Sequence, residues 1–449
     1  MLVINKPISS KIRYLGIIVF VFIFAAIFLF LNTQKNKQAS SFTYPFAIRS
    51  ENKALAKLES EISFYKLRSQ ANPNDGLELA SLAALYLKKA RVSGWASWYL
   101  LAEQSARHSL ANLSFNNNGA LLVLAKTAEA RHDFKQSINL AQRVLNQQAG
   151  NKTALSILIS SNLATGNINI ASEYANQLIK QLPSASSLGL KALVEQARGN
   201  TKQAQKDLQQ AISYEEVGET YSSAWLRTKL ALLESQRGNY DLAKKLYLEA
   251  LRIVPEYPLA ILYLAALETE QKNYQKAISY YKSILYKTEN SATVFDHQAL
   301  QGLARANYLL GNIQTSGQIW AEAEAVLKND VNNTVFGHKR ELAGLLLERG
   351  HPEDNAKAMQ LLSEEVNNRH DVKTLGLYAW SLIRAKNYKQ AKLILDQALA
   401  TGIQSAAIYY QAANLEKTLA NFDKANSYFK KAKNINPLFN YEQWQKLYF

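Results

Sequence analysis

Between Ala224 and Ile284 the chain reads AWLRTKLALLESQRGNYDLAKKLYLEALRIVPEYP and then LAILYLAALETEQKNYQKAISYYKSIL, two copies of one hydrophobic pattern. Apolar and small residues return three and four places apart, which aligns them along one face of a helix. Ala243, Tyr247 and Ala250 make that stripe in the first copy, and Ala277, Tyr281 and Ile284 repeat it about 34 residues later. Gly238-Asn239-Tyr240 stands where Lys272-Asn273-Tyr274 stands in the next copy, a polar break between two helices. Leu230 and Ala231 supply the facing pair on the preceding helix, and Ala243 is small enough to admit it closely. Pro255 lacks an amide hydrogen and restricts the residue before it, so the second helix stops there. One such hairpin cannot bury its stripe alone; stacking against neighbours does that.

The small residue early in each second helix can be followed at Ala102, Ser137, Ala171, Ala204, Ala243, Ala277, Ser316, Ala358, Ala391 and Ala425. The steps are 35, 34, 33, 39, 34, 39, 42, 33 and 34 residues. Gly166-Asn167, Gly199-Asn200, Gly238-Asn239 and Gly311-Asn312 close first helices, and Pro183, Pro255 and Pro437 end second ones. The period, with two amphipathic helices and a short turn in each unit, resembles the tetratricopeptide repeat. That resemblance implies an all-α fold: an α-solenoid of helical hairpins wound into a right-handed superhelix, with about ten repeats over residues 73–437. Insertions are expected at Glu215–Tyr221, Thr288–Asp296, Asn332–Phe336 and His351–Asn355. The opening unit, LASLAALYLKKARVSGWASWYLLAEQSARHSL, is expected to carry a lengthened turn with Trp95 and Trp98. It is similar to the opening repeat of membrane-anchored bacterial tetratricopeptide proteins.

The flanks differ. Residues 1–13 are basic, with Lys6, Lys11 and Arg13, and Tyr14 to Leu31 carries no charge. Eighteen helical residues span about 27 Å, close to the roughly 30 Å hydrocarbon core of a bilayer. A cleaved signal peptide would have a shorter apolar run and small residues after it, whereas Asn32-Thr33-Gln34-Lys35 follows here. The reading is a retained transmembrane helix at 14–31, then a polar linker at 32–50. The positive-inside rule favours a cytoplasmic N-terminus. A single-pass protein of a bacterial-type inner membrane follows, with the repeats on the periplasmic, extracytoplasmic side. Residues 51–72 read as a capping helix, with Leu55, Leu58, Ile62 and Tyr65 on one stripe. Residues 438–449 read as a C-terminal capping helix, or alternatively as an exposed aromatic docking tail.

Composition changes little. Only 8 Pro and 18 Gly interrupt 449 residues, which suits an elongated helical array. The formal net charge is +16, but beyond residue 60 it is scattered, so no nucleic-acid partner is expected. The absence of cysteine excludes disulfides, thiol catalysis and thiolate metal sites. None of the six His pairs with another at helical spacing, and no phosphate loop, H-E-x-x-H or nucleophile elbow occurs. Arg131-His132-Asp133 and Arg369-His370-Asp371 read as polar turn residues, with Asp371 a helix cap. No cofactor, metal or enzyme activity is expected.

By the same resemblance, first helices line the concave surface, where protein or peptide partners dock. The inward residues would be Lys126, Trp225, Lys229, Tyr263, Arg305, Tyr308, Trp380, Tyr410 and Asn414. Aromatic and Arg side chains are the common anchors of interfaces. Trp225, Tyr263 and Trp380 can equally pack between adjacent helices. The expected function is a membrane-anchored scaffold for protein–protein interactions. The alternative is an accessory of envelope export or polysaccharide secretion that holds glycan in the groove.

Overall fold

All ten of the small residues that mark the second helices are buried, each at 2 % exposure or less. In nearly every hairpin the marker is the fourth residue of its helix, where a facing helix crosses closely. The computed structural model describes residues 42–48, 51–285, 293–332 and 337–448. The basic segment 1–13, the apolar run 14–31 and most of the linker lie outside the described residues. Among the described residues no helix is long and apolar enough to cross a membrane. The chain divides into two compact units, Met1–Pro45 and Phe46–Phe449. In the first, only residues 42–45 are described, with Phe42 and Tyr44 buried.

The second unit is all helix apart from one isolated bridge between Trp95 and Thr293, among the described residues. A leading helix, Glu51–Ala71, packs on the first hairpin. Repeat 1 is Gly76–Ser93 with Ala96–Asn112, repeat 2 Asn118–Ala130 with Phe134–Gln147, and repeat 3 Lys152–Ala164 with Ile168–Gln181. Repeat 4 is Ala185–Ala197 with Thr201–Ser213, repeat 5 Thr220–Gln236 with Tyr240–Ile253, and repeat 6 Pro258–Glu270 with Tyr274–Leu285. Repeat 7 is Asp296–Leu310 with Ile313–Asn332, and repeat 8 is Lys339–Arg349 with Asp354–Glu365. Repeat 9 is Val372–Arg384 with Tyr388–Ala400, repeat 10 Ala406–Thr418 with Phe422–Ile435, and Tyr441–Tyr448 closes the series. Repeat 1 departs from expectation. Its first helix runs on to Ser93, a single left-handed Gly94 turns the chain, and Trp98 lies on the second helix against Tyr86. The unit is long because its helices are long, not its turn.

Four of the hairpins are closed by the same local chemistry. An Asn at the turn donates its side-chain amide to a Glu five residues back: Asn200 to Glu195, Asn239 to Glu234, Asn273 to Glu268 and Asn421 to Glu416. The core is a string of apolar clusters passed from repeat to repeat, the expected consequence of hairpins that bury nothing alone.

The solenoid also touches itself at an interval of six repeats. Val294 donates its amide to the Gly94 carbonyl at 2.9 Å, joining the turn of repeat 1 to the entry of repeat 7. Gly337 donates to Arg131 at 2.9 Å and His370 to Ala164 at 3.1 Å, joining repeats 2 and 8, then 3 and 9. Gly199 of repeat 4 lies so close to Gly402, before repeat 10, that an added Cβ would stand 1.9 Å from the Gly402 carbonyl oxygen. Asn436, past repeat 10, reaches the Ser235 carbonyl and the Tyr240 hydroxyl of repeat 5. Five successive turns thus form a continuous seam between repeat n and the entry to unit n plus six.

Candidate functional site

All nine residues expected on the inner surface lie on first helices, but none stands free of neighbours. Trp380 is 1 % exposed, beneath the Arg384 guanidinium at 4.7 Å from its ring. Tyr410 is buried too, stacked on Phe439 at 5.0 Å and beside Tyr441 at 4.7 Å. Asn414 accepts from the Tyr441 hydroxyl at 2.8 Å. The closing helix thus covers the face of repeat 10 that carries Tyr410 and Asn414, with Leu447 buried, and Gln443 donates to the Thr269 carbonyl of repeat 6. Trp380 and Tyr410 are core, which corrects their placement on an open face. The physical reason is that Trp380 fills the core shared with repeats 7 and 8, while Tyr410 is covered by the rings of the closing segment.

The remaining six are half-buried. Trp225 wedges against Gly189, where a Cβ would meet its ring at 2.7 Å, and Lys229 lies 5.8 Å from the same ring. Tyr263 pairs with Tyr247 and Tyr308 with Trp320, at 6.4 and 5.5 Å. Arg305 makes a bidentate pair with Glu348 of the next repeat, both contacts 2.7 Å. Lys126 holds Glu129 at 2.8 Å. Lys126 pairs within its own helix, whereas Arg305 is committed to the next repeat.

A charged cluster that local sequence signals do not reveal lies in the seam between repeats 2 and 8. His132 occupies a left-handed turn at φ 62°, and its Nδ1 lies 3.0 Å from the Gly337 carbonyl. The His338 ring is 5.2 Å from that of His132 and 4.4 Å from that of His297. Around them stand Glu341, paired with Arg340 at 2.6 Å, and Asp371, which accepts from Arg340 at 3.0 Å and Arg369 at 3.1 Å. Asn368 donates to the His132 carbonyl at 3.1 Å. The two Arg-His-Asp triplets therefore meet, although 238 residues separate them. Burial, then the neighbouring His338, drives His297 down to about 3. Burial also holds His132 down at about 4. For Glu341 burial pulls upward, but Arg340 and Arg369 prevail and keep it well below the carboxylate range. Burial raises Glu365 to about 7.

The three histidines do not make a metal site, because Nδ1 of His132 is engaged and two guanidinium groups flank the cluster. Among the described residues, His351, Glu353 and Asp354 bring ligand atoms within 4.8 Å of one another. Asp354 is already held by Arg349 through two contacts of 2.7 and 2.8 Å. What the seam chemistry does is mechanical. It ties one turn of the solenoid to the next through buried polar groups.

Two stretches match family models of the tetratricopeptide repeat, residues 183–256 and 406–437. They coincide with repeats 4 and 5 and with repeat 10. The chain carries tetratricopeptide repeats. No curated protein matches it. Among solved structures it is similar to a thermophilic tetratricopeptide protein of Thermus thermophilus, at 18% identity and a TM-score of 0.35, over 38% of this chain and 92% of that one. It is also similar to PilW, described as a widely conserved type IV pilus biogenesis factor, at 17% identity and a TM-score of 0.38, over 47% of this chain and 93% of that one. A third is MamA, at 21% identity and a TM-score of 0.28, over 36% and 92%. In the helical hairpins outside the matched stretches, Ser137 and Ser316 replace the marker alanine, yet both are fully buried.

Proposed function

We propose that this chain is a non-enzymatic scaffold that holds a protein partner, tethered to a bacterial-type inner membrane through residues 14–31 with its repeats on the extracytoplasmic side. One observation carries the reading: ten stacked tetratricopeptide-type hairpins build an extended surface, and charged groups such as Arg305 with Glu348 and Arg340 with Asp371 pair from one repeat to the next. Such arrays act by presenting surface rather than by assembling a reaction centre. The tether rests on the uncharged run from Tyr14 to Leu31 and the basic residues before it. A glycan groove has less support, since Trp380 is enclosed and Trp225 is wedged against Gly189.

The test places a photo-crosslinking amino acid in the full chain at Lys126 or Lys229 and, for comparison, at the exposed Lys135 on a second helix. The expected result is an adduct with a discrete envelope protein from the inner positions. Adducts from Lys135 alone would move the docking surface outward, and none from any position would remove the scaffold reading. Protease accessibility in intact spheroplasts tests the topology, with the repeats expected to be cut.

A further inference from the structure

A cleft of 860 Å³ opens where repeat 4 meets repeat 10. Its walls come from two turns of the solenoid. Lys202 and Lys206 stand on Thr201–Ser213, Arg237 follows Thr220–Gln236, and Lys431 stands on Phe422–Ile435. Four cations face one space, and no Asp or Glu lines it. Among the described residues Lys202, Lys206 and Lys431 have no carboxylate partner; Lys431 lies over the Tyr409 and Tyr428 rings at 5.6 and 5.7 Å. Arg237 alone reaches one, Glu234, at 3.5 Å. Helix Thr201–Ser213 begins at the cleft, and its N-cap Asn200 makes no side-chain capping bond, so the positive end of its dipole adds the same sign. Like charges are thus held together by the backbone contact of Gly199 with Gly402 beside them.

We propose that this cleft binds an acidic peptide, a short run of Asp and Glu on a protein partner, and so bridges repeats 4 and 5 to repeat 10. The proposal rests on the reading of the chain as a scaffold for proteins and adds the chemistry of what it holds. Carboxylates would relieve the repulsion through charge-assisted hydrogen bonds. The amide side chains of Asn200 and Asn434 line the same cleft; Asn434 can both donate to and accept from an extended peptide backbone, and Asn200, one amide hydrogen of which goes to Glu195, keeps its oxygen and second hydrogen for the same use. A nucleic-acid strand fits less well. The cations gather at one point instead of following a track, and the lining ring, Tyr409, is already flanked by Lys431 and by Tyr428 at 5.8 Å.

The full chain, purified in detergent, is titrated with labelled hexaglutamate, hexaglutamine and oligothymidylate. Lys202→Gln/Lys206→Gln and Lys431→Gln are compared with Lys135→Gln; all four lysines are exposed, and unchanged thermal midpoints verify that the variants fold. Hexaglutamate should bind, hexaglutamine should not, and either cleft variant should weaken binding by about tenfold or more while Lys135→Gln leaves it unchanged. Equal affinity in all variants, no hexaglutamate binding, or binding of oligothymidylate alone overturns the proposal. Envelope crosslinks from Lys229 that survive both cleft variants undiminished would overturn the acidic cleft and leave the scaffold standing. Loss of crosslinks in every protein, wild type included, would remove the scaffold instead.

Discussion

Three histidine rings from three different repeats pack together, and burial keeps two of them, His132 and His297, from taking up a proton. His132 and His297 titrate at about 4 and about 3 when folded, against 6.5 for an ordinary histidine. Their surroundings include His338, Glu341, Arg340, Arg369, Asp371 and, on the next helix, Lys373, so the cations oppose a further positive charge. Because both folded values are depressed, the unfolded chain binds more protons as the pH falls below about 6.5, and stability is lost from there towards pH 3–4. Each ring can contribute a slope of up to about 1.4 kcal/mol per pH unit in that window. Glu341 adds to the loss only below the ordinary carboxylate range. Glu365, raised to about 7, works the other way over the same window and offsets about one ring, so we expect the urea midpoint to fall between about pH 6.5 and pH 4.5 by the share of the other ring, and the slope to flatten in His297→Asn. A midpoint that does not move over that range would mean the rings are not buried neutral. None of this was legible in the sequence. Each Arg-His-Asp triplet has an adequate local role, since Asp133 and Asp371 do cap helices, and nothing local says that one lies against the other.

Hairpins, in contrast, could be read almost residue by residue, because their signals are local: a small residue at the crossing, a ring one turn on, a polar turn. The degraded repeats obey the same rule. Ser137 faces Ser161 at 3.0 Å, a hydroxyl pair in place of two methyl groups. The close crossings allow quantitative expectations. Gly302 meets the Tyr281 ring so tightly that a Cβ would fall 2.3 Å from it. Gly302→Ala should cost about 1–3 kcal/mol in denaturant stability through overpacking. Tyr247→Ala, at a fully buried ring, should cost about 3–5 kcal/mol. The insertion at Glu215–Tyr221 is not simply an added surface loop, because Glu215 turns inward and pairs with Arg227, both side chains essentially buried. Removing the acid alone, as in Glu215→Ala, leaves a buried guanidinium and should destabilise by about 3–5 kcal/mol, whereas Glu215→Leu with Arg227→Met should restore most of it. Equal losses in the single and double variants would show that the pair is not what holds the insertion. An Arg four places after Ser223, on the face of the helix that carries Leu230 and Ala231, is the available hint of a buried partner.

At the scale of the whole array, the seam changes how repeats share stability. Repeats that touch only their nearest neighbours unfold piecemeal. Here repeat 2 is bonded to the entry of repeat 8, and repeat 3 to that of repeat 9, so the two halves support one another. We expect a single calorimetric transition for the described repeats. Gly402→Val should split it in two, because Gly402 sits at φ 80° with a Cβ position 2.8 Å from the Arg198 carbonyl oxygen. Gly311→Val is the control: its φ is 96°, yet nothing lies within 4 Å of the added carbon, so it carries backbone strain without touching the seam. If both variants melt alike, the seam adds nothing to cooperativity. The seam is not legible in the sequence because it depends on the angle between successive hairpins, a sum of small packing choices that no motif records.

The bonds between Gly94, Arg131, Ala164 and their distant donors also set a counting rule for this chain. A hairpin gained or lost in the middle would shift every later loop out of line with its mate, like a thread that no longer meshes after one tooth is removed. Growth at either end leaves the count intact. Interior duplication should be tolerated only where it keeps each turn opposite its mate, so what the seam constrains is the spacing of the paired turns rather than the length of the chain.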